Sequence, residues 1–296
     1  FALTEVTQLG LDFMAAAFAY GASALVVLLP PAKRDEAGAL VQQLGYAEAA
    51  LAGLGWGEGR VVVIAEDDPE AVEAALWNLR RPDGPAPGDF LALGTKRERT
   101  RLALDHLHRT APAPVDTVPL PERAPFGTLR VDVEGCTLCL SCVGACPTGA
   151  LLDGADRPTL RFVEDACVQC GLCASTCPER VIALEPRLSF APEAKAPRTL
   201  KEEEPATCTR CGKPFGTKSS IERVVARLAG THWMFRSPEQ IARMRMCDDC
   251  RVVDQLTSGA NPLAGGVRPP VRTTDDYYRE REERARRLAD ASDGKG

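Results

Sequence analysis

The sequence predicts a mixed chain of three folded parts: a small parallel α/β domain, a cysteine-rich α+β middle and a small C-terminal module built on four further cysteines. Three observations predict this. Helix-prone stretches alternate with short apolar runs over the first 110 residues. All twelve cysteines lie between Cys136 and Cys250, in C-x-x-C units. Proline-rich stretches bracket the first eight of them. A length of 296 residues leaves room for more than one core. A net charge of −5 argues against nucleic-acid binding as the main role, and 45% hydrophobic residues argue against wholesale disorder. The cysteine spacing is not that of a disulfide framework; it reads as metal binding in a reducing compartment, and the expected location is the cytoplasm.

The chain begins with Phe1 rather than Met, as a fragment or processed product would, and no basic region precedes the first apolar stretch. Phe13 to Leu29 carries no charge and is almost long enough to span a bilayer. Gly21 divides it, so the reading is an Ala-rich helix (Phe13 to Tyr20) followed by a core strand (Leu25 to Leu29) that stops at Pro30 and Pro31, and no membrane span is expected. Arg34 to Leu54 has an amphipathic helical pattern, Arg60 to Ala65 is an apolar strand, and Pro69 to Leu79 is a helix with Asp68 as N-cap. Phe90 to Leu93 reads as a strand and Thr95 to Arg109 as a helix. The alternation implies a small parallel sheet of flavodoxin-like type over residues 1–110, acting as a scaffold. The Gly53–Gly59 run ends a helix and enters a strand, the reverse of a dinucleotide-binding loop, so it reads as a helix stop and turn. His106 and His108 are two apart on a helix and read as solvated side chains.

Residues 111–126 read as a Pro-rich linker and 127–185 as the first cysteine domain. A second linker covers 186–206, a four-cysteine metal module 207–272 and a charged tail 273–296, the tail an exposed helix fraying into disorder.

Two runs carry the main chemistry: Cys136, Cys139, Cys142, Cys146-Pro147 and Cys167, Cys170, Cys173, Cys177-Pro178. They repeat at 31 residues, and the flanks repeat too: Val131 matches Phe162, Ala150 matches Val181, and Leu151 matches Ile182. Three cysteines at two-residue gaps wrap one side of a 4Fe–4S cube, while the fourth, before proline, points away to another. The segment 127–185 resembles the bacterial-type dicluster ferredoxin family. In that pattern the fourth cysteine ligates the other cluster. The resemblance implies one cluster on Cys136, Cys139, Cys142 and Cys177 and another on Cys167, Cys170, Cys173 and Cys146. Val133, Leu138, Leu140, Val143, Phe162, Val168, Leu172 and Ile182 are the expected apolar shell. The acidic surroundings, eight Asp/Glu against five Lys/Arg from Thr128 to Phe190, favour low potentials.

Cys208-x-x-Cys211 and Cys247-x-x-Cys250 give four more thiolates, each pair from a tight knuckle. Four thiolates form a closed tetrahedral site in a zinc-ribbon-like module, with Zn2+ as the first reading and an additional iron or iron–sulfur centre as the alternative. His232 lies between the pairs and reads as a surface or packing residue, and Ser220 to Ala229 as an amphipathic helix beneath the metal.

The C-terminal stretches CTRCGKPFGTKSSIERVVARLAGTHWMF (208–235) and MRMCDDCR (244–251) resemble a family of proteobacterial 4Fe–4S proteins associated with formate dehydrogenase systems. VTQLGLDFMAAAFAYGASALVVLL (6–29) is similar in pattern to the delta subunit of methanogen hydrogenases, although residues 1–135 here hold no cysteine. These resemblances imply an electron-transfer subunit serving a formate dehydrogenase or hydrogenase-like partner, with no catalytic residues of its own. An assembly or maturation factor for a molybdenum or tungsten formate dehydrogenase is the alternative. A flavin- or nucleotide-binding oxidoreductase finds no fingerprint.

Overall fold

The computed structural model describes residues 3, 5–79, 82–259 and 271–293. The chain divides into two compact units, 1–203 and 204–296.

The first unit opens with helix α1 (Leu11–Ala19), strand β1 (Leu25–Leu28), α2 (Gly38–Gly53), β2 (Val61–Ile64), α3 (Pro69–Trp77) and α4 (Lys96–Arg109). Gly21, at φ +97°, turns the chain between α1 and β1, so the long uncharged stretch is split as expected. Among the described residues no helix is long and apolar enough to cross a membrane. β1 and β2 pair in parallel, from Leu25 opposite Val61 to Leu28 opposite Ile64. Among the described residues this sheet has only these two strands. Phe90 to Leu93 is not a strand: Phe90 instead stacks on Tyr20 at 5.1 Å and tilts against His106 at 5.6 Å. His106 is correspondingly buried, its Nε2 2.8 Å from the Ala86 carbonyl, and His108 stacks on Phe190 at 4.2 Å. The expectation of two solvated histidines is therefore corrected. The glycine run ends α2 and turns into β2, with Gly55, Gly57 and Gly59 all at positive φ.

The unit continues with β3 (Thr117–Pro119), β4 (Gly127–Val131), α5 (Ser141–Gly144), β5 (Leu151–Asp153), β6 (Thr159–Phe162), α6 (Leu172–Thr176), β7 (Ile182–Ser189) and β8 (Arg198–Glu202). Antiparallel sheets form in the orders β3-β7-β4 and β5-β6-β8. The two proline-rich stretches read as linkers therefore carry strands. Val118, Leu120 and Leu188 are buried with Met14, Phe18, Leu51 and Leu104 in one core. Pro119 lies in the edge strand β3, where a missing N–H is tolerated, whereas Pro186 sits within the central strand β7, opposite Gly127 of β4.

The duplication is visible residue for residue. Val131 pairs with Ile182 in one sheet, and their matches, Phe162 and Leu151, pair in the other. Each pairing joins a strand of one repeat to a strand of the other. The result is two interlocked halves rather than two beads.

The second unit contains β9 (Pro205–Thr207), β10 (Pro214–Thr217), α7 (Lys218–Leu228), α8 (Pro238–Arg243), α9 (Asp248–Thr257) and α10 (Thr274–Asp293). β9 and β10 form an antiparallel hairpin, and α7 packs on it. Residues 260–270 of the expected four-cysteine module, and the last residues of the expected frayed tail, 294–296, lie outside the described residues.

Candidate metal centres

The backbone of the two cysteine runs is bent alike. Leu138 and Leu140, at φ +49° and +58°, match Gln169 and Gly171, at +55° and +79°; Gly149 and Arg180 also match, at +65° and +56°. Left-handed conformations at four non-glycine positions cost roughly 1–2 kcal/mol each. They turn successive N–H groups and thiols toward a common centre, a concavity suited to an anionic group. Exposure repeats as well: Cys139 and Cys170 are exposed, and Cys142 and Cys173 are buried.

The thiols gather into two cavities of similar empty volume, about 360 and 310 Å³. Cys136, Cys139, Cys142 and Cys177 line the first, with Leu138, Leu160 and Ile182. The second is lined by Cys167, Cys170, Cys173 and Cys146, with Leu129, Leu151 and Phe162. Each run thus shares a cavity with the fourth cysteine of the other. Four soft thiol donors around an apolar hollow fit an iron–sulfur cluster. Burial, and then neighbouring thiols, push Cys142 and Cys173 up to about 11, so iron must displace their protons.

The apolar shell is only partly as expected. Leu138 and Phe162 are buried, whereas Val133 and Leu172 are 43% and 47% exposed. Leu129, Leu151 and Leu160, which complete the core, were not among the expected shell; Leu151 had shown itself only as a repeated flank.

Residues other than the cysteines also reach the sites, one from within a run and two from far outside both. Gln169 donates from Nε2 to the Thr128 carbonyl at 3.0 Å and to Cys167 Sγ at 3.4 Å. Arg97, on α4, donates to the carbonyls of Pro125, Asp165 and Cys167. Lys201, on β8, donates to those of Val133 and Cys136. No cysteine spacing announces such contacts.

The four remaining cysteines form a tighter group. The sulfurs of Cys208, Cys211, Cys247 and Cys250 all lie within 4.8 Å of one another, and Cys211 and Cys247 are 3.7 Å apart. Tetrahedral bonds of ~2.3 Å to a single ion place sulfurs about 3.8 Å apart. The spacing therefore fits one ion; a cube of four irons would hold its thiolates further apart. Cys208 and Cys211 sit in the β9–β10 turn, where Gly212, at φ +73°, lets its N–H return to the Cys208 carbonyl at 2.9 Å. The second pair is not a knuckle: Cys247 is the N-cap of α9 and Cys250 lies in its first turn. A helix start replaces the expected second turn, because the helix dipole also favours thiolates there. Burial raises the Cys208 thiol, but hydrogen bonds from the Cys247, Cys211 and Arg210 backbone outweigh it and bring it down to about 6. Cys250, hydrogen-bonded to Cys211, goes up to about 12. His232 packs against Trp233 and Phe235, away from any ligand role.

Residues 135–182 match the family model of the 4Fe-4S dicluster domain. No curated protein matches the chain. The segment with the repeated runs is thus a ferredoxin-type iron–sulfur domain, and the chain an iron–sulfur electron-transfer protein with a further group of four cysteines able to bind a metal.

Proposed function

We propose that this chain relays electrons through two 4Fe–4S clusters to or from a partner oxidoreductase. The observation that carries the reading is the sorting of eight thiols into two cavities, each completed by the fourth cysteine of the other run. Such clusters supply one-electron carriers. The chain's own residues hold them close together through interlocked strands, keep water out with Leu138, Phe162, Leu151 and Leu160, and leave Cys139 and Cys170 near the surface. Cys208, Cys211, Cys247 and Cys250 hold a single structural ion, for which Zn2+ is the first candidate. Resemblance of residues 208–235 and 244–251 to formate dehydrogenase-associated proteins supports a formate dehydrogenase partner, that of residues 6–29 to the hydrogenase delta subunit supports a hydrogenase-like one, and the cysteine usage supports a reducing cytoplasm.

Anaerobically purified full-length protein should contain about eight irons and one zinc per chain, two and one sites filled as the cysteine sets require. Four irons or fewer after full reconstitution would sink the two-cluster reading. Cys146→Ala should damage the cluster of the second run; damage confined to the first would refute the crossed ligation. Deleting the gene and assaying the co-purifying enzyme separates relay from assembly. A fully formed enzyme that cannot pass electrons supports relay, and one lacking its cofactor supports an assembly role.

A further inference from the structure

Cys136 and Cys167 open the two runs and occupy equivalent positions, 31 residues apart. Each has its backbone carbonyl bound by a cation from outside the duplicated unit. Arg97, which precedes it in the chain, donates from Nη2 to the Cys167 carbonyl at 2.7 Å. Lys201, which follows it, donates to the Cys136 carbonyl and to that of Val133 at 2.7 Å.

Among the described residues, all the acceptors of both side chains are neutral carbonyls. Among the described residues neither cation is in an ion pair. The nearby Asp165 carboxylate is engaged by Arg101 instead, at 2.7 Å. Arg97 is fixed by three further hydrogen bonds, to Pro125 at 2.9 Å and to Asp165 at 2.8 and 2.6 Å, and its guanidinium lies over the Phe126 ring at 4.5 Å. A guanidinium needs no proton exchange to keep its charge, and a planar fork with four bonds cannot swing away.

We infer that Arg97 and Lys201 are positioning residues that set the reduction potentials, each raising that of the cluster held by the run whose leading cysteine it touches. The physical reason is direct. Reduction adds one electron to a cluster already surrounded by thiolates, and an unneutralised cation close by lowers the energy of that added charge. Net charge and hydrogen bonding are among the levers that set such potentials. Arg97, enclosed by four hydrogen bonds and an aromatic ring, is less screened than Lys201 with two, so its effect is the larger. The inference rests on the two-cluster reading.

The test is a dithionite titration of the reconstituted full-length protein, followed by electron paramagnetic resonance. Cys170→Ser identifies the signal of the second-run cluster. Arg97→Gln should lower the midpoint of that cluster and move the other less. Lys201→Gln should do the reverse with a smaller shift. Arg97→Lys, which keeps the charge, should restore most of the Arg97 effect. Eight-iron protein in which both glutamine variants leave both midpoints in place, or shift them equally, overturns the inference and leaves the two-cluster reading standing. If Arg97→Gln loses iron, Lys201→Gln and Arg97→Lys decide: an unmoved first-run midpoint in the former, or an Arg97→Lys midpoint far below wild type, overturns it. Wild-type protein with too little iron for two clusters instead overturns the reading beneath.

Discussion

Glu164 shows how a single side chain can lock the iron–sulfur half together. It lies one residue ahead of Asp165, and its carboxylate is buried, with a side-chain exposure of 5%. Burial raises its pKa, but the paired hydrogen bonds from Arg187, 2.8 and 2.7 Å, outweigh that and leave it below the usual carboxylate value. Arg187 belongs to β7, the central strand that joins β3 to β4, so the pair ties the turn before Cys167 to the sheet. A depressed folded pKa means stability that is present above the unfolded value, near 4.5, and is lost as pH falls through the folded one. Urea unfolding of the reconstituted protein should therefore show stability falling below about pH 4.5, and Glu164→Gln should flatten that part of the profile. At neutral pH the variant should lose about 2–3 kcal/mol, short of the full cost of breaking a buried pair because Arg187 is 28% exposed. An unchanged acid limb in Glu164→Gln would remove this carboxylate from the account.

At the scale of elements, α4 matters most, because it packs on α1 on one side and carries Arg97 and Arg101 toward the cysteine runs on the other. Its start is a capping box: the Glu98 N–H donates to Thr95 Oγ1 at 3.3 Å, and the Thr95 N–H donates to Glu98 at 2.7 Å. Thr95→Ala should cost about 1 kcal/mol. In a unit of this size that corresponds to a fall of roughly 2–4 °C in Tm, measurable by circular dichroism. A Tm equal to wild type would show that α4 is held by packing alone. The helix was legible in the sequence, over Thr95 to Arg109, because helical patterning is local; its capping box was not read there. The cysteine runs were legible for a stronger reason: a metal centre constrains residue type and spacing together. What stayed illegible depends on distant partners. Phe90 lies in a strand-like apolar stretch, but Tyr20 and His106 claim its ring. Val118 and Leu188 sit among prolines, yet the core of α1, α2 and α4 receives them. Arg97 and Lys201 look like ordinary surface charges until folding places them against Cys167 and Cys136.

For the whole molecule, the two units are stabilised by different means. Residues 1–203 bury a long list of large apolar side chains, among them Phe18, Tyr46, Leu104, Phe162 and Leu188. Among the described residues of 204–296, the buried apolar set is only Cys208, Val225 and Cys247. Two of those three are candidate metal ligands. Ion pairs such as Arg245 with Glu222 and Arg243 with Asp254 are partly exposed and add little. A core of that size does not offset the entropy of ordering α7, α8 and α9, and an ion held by the four cysteines would supply the difference; structural zinc provides roughly 10–16 kcal/mol of apparent binding free energy in small domains. The Cys208→Ala variant of the full-length protein should therefore lose this metal, lose helical signal and become open to proteases beyond residue 203, while the visible absorption of the iron–sulfur clusters persists. Using a variant rather than a chelator spares the clusters from attack. Helices of 204–296 that remain protected in metal-free protein would show that packing among them, not the ion, holds the module together.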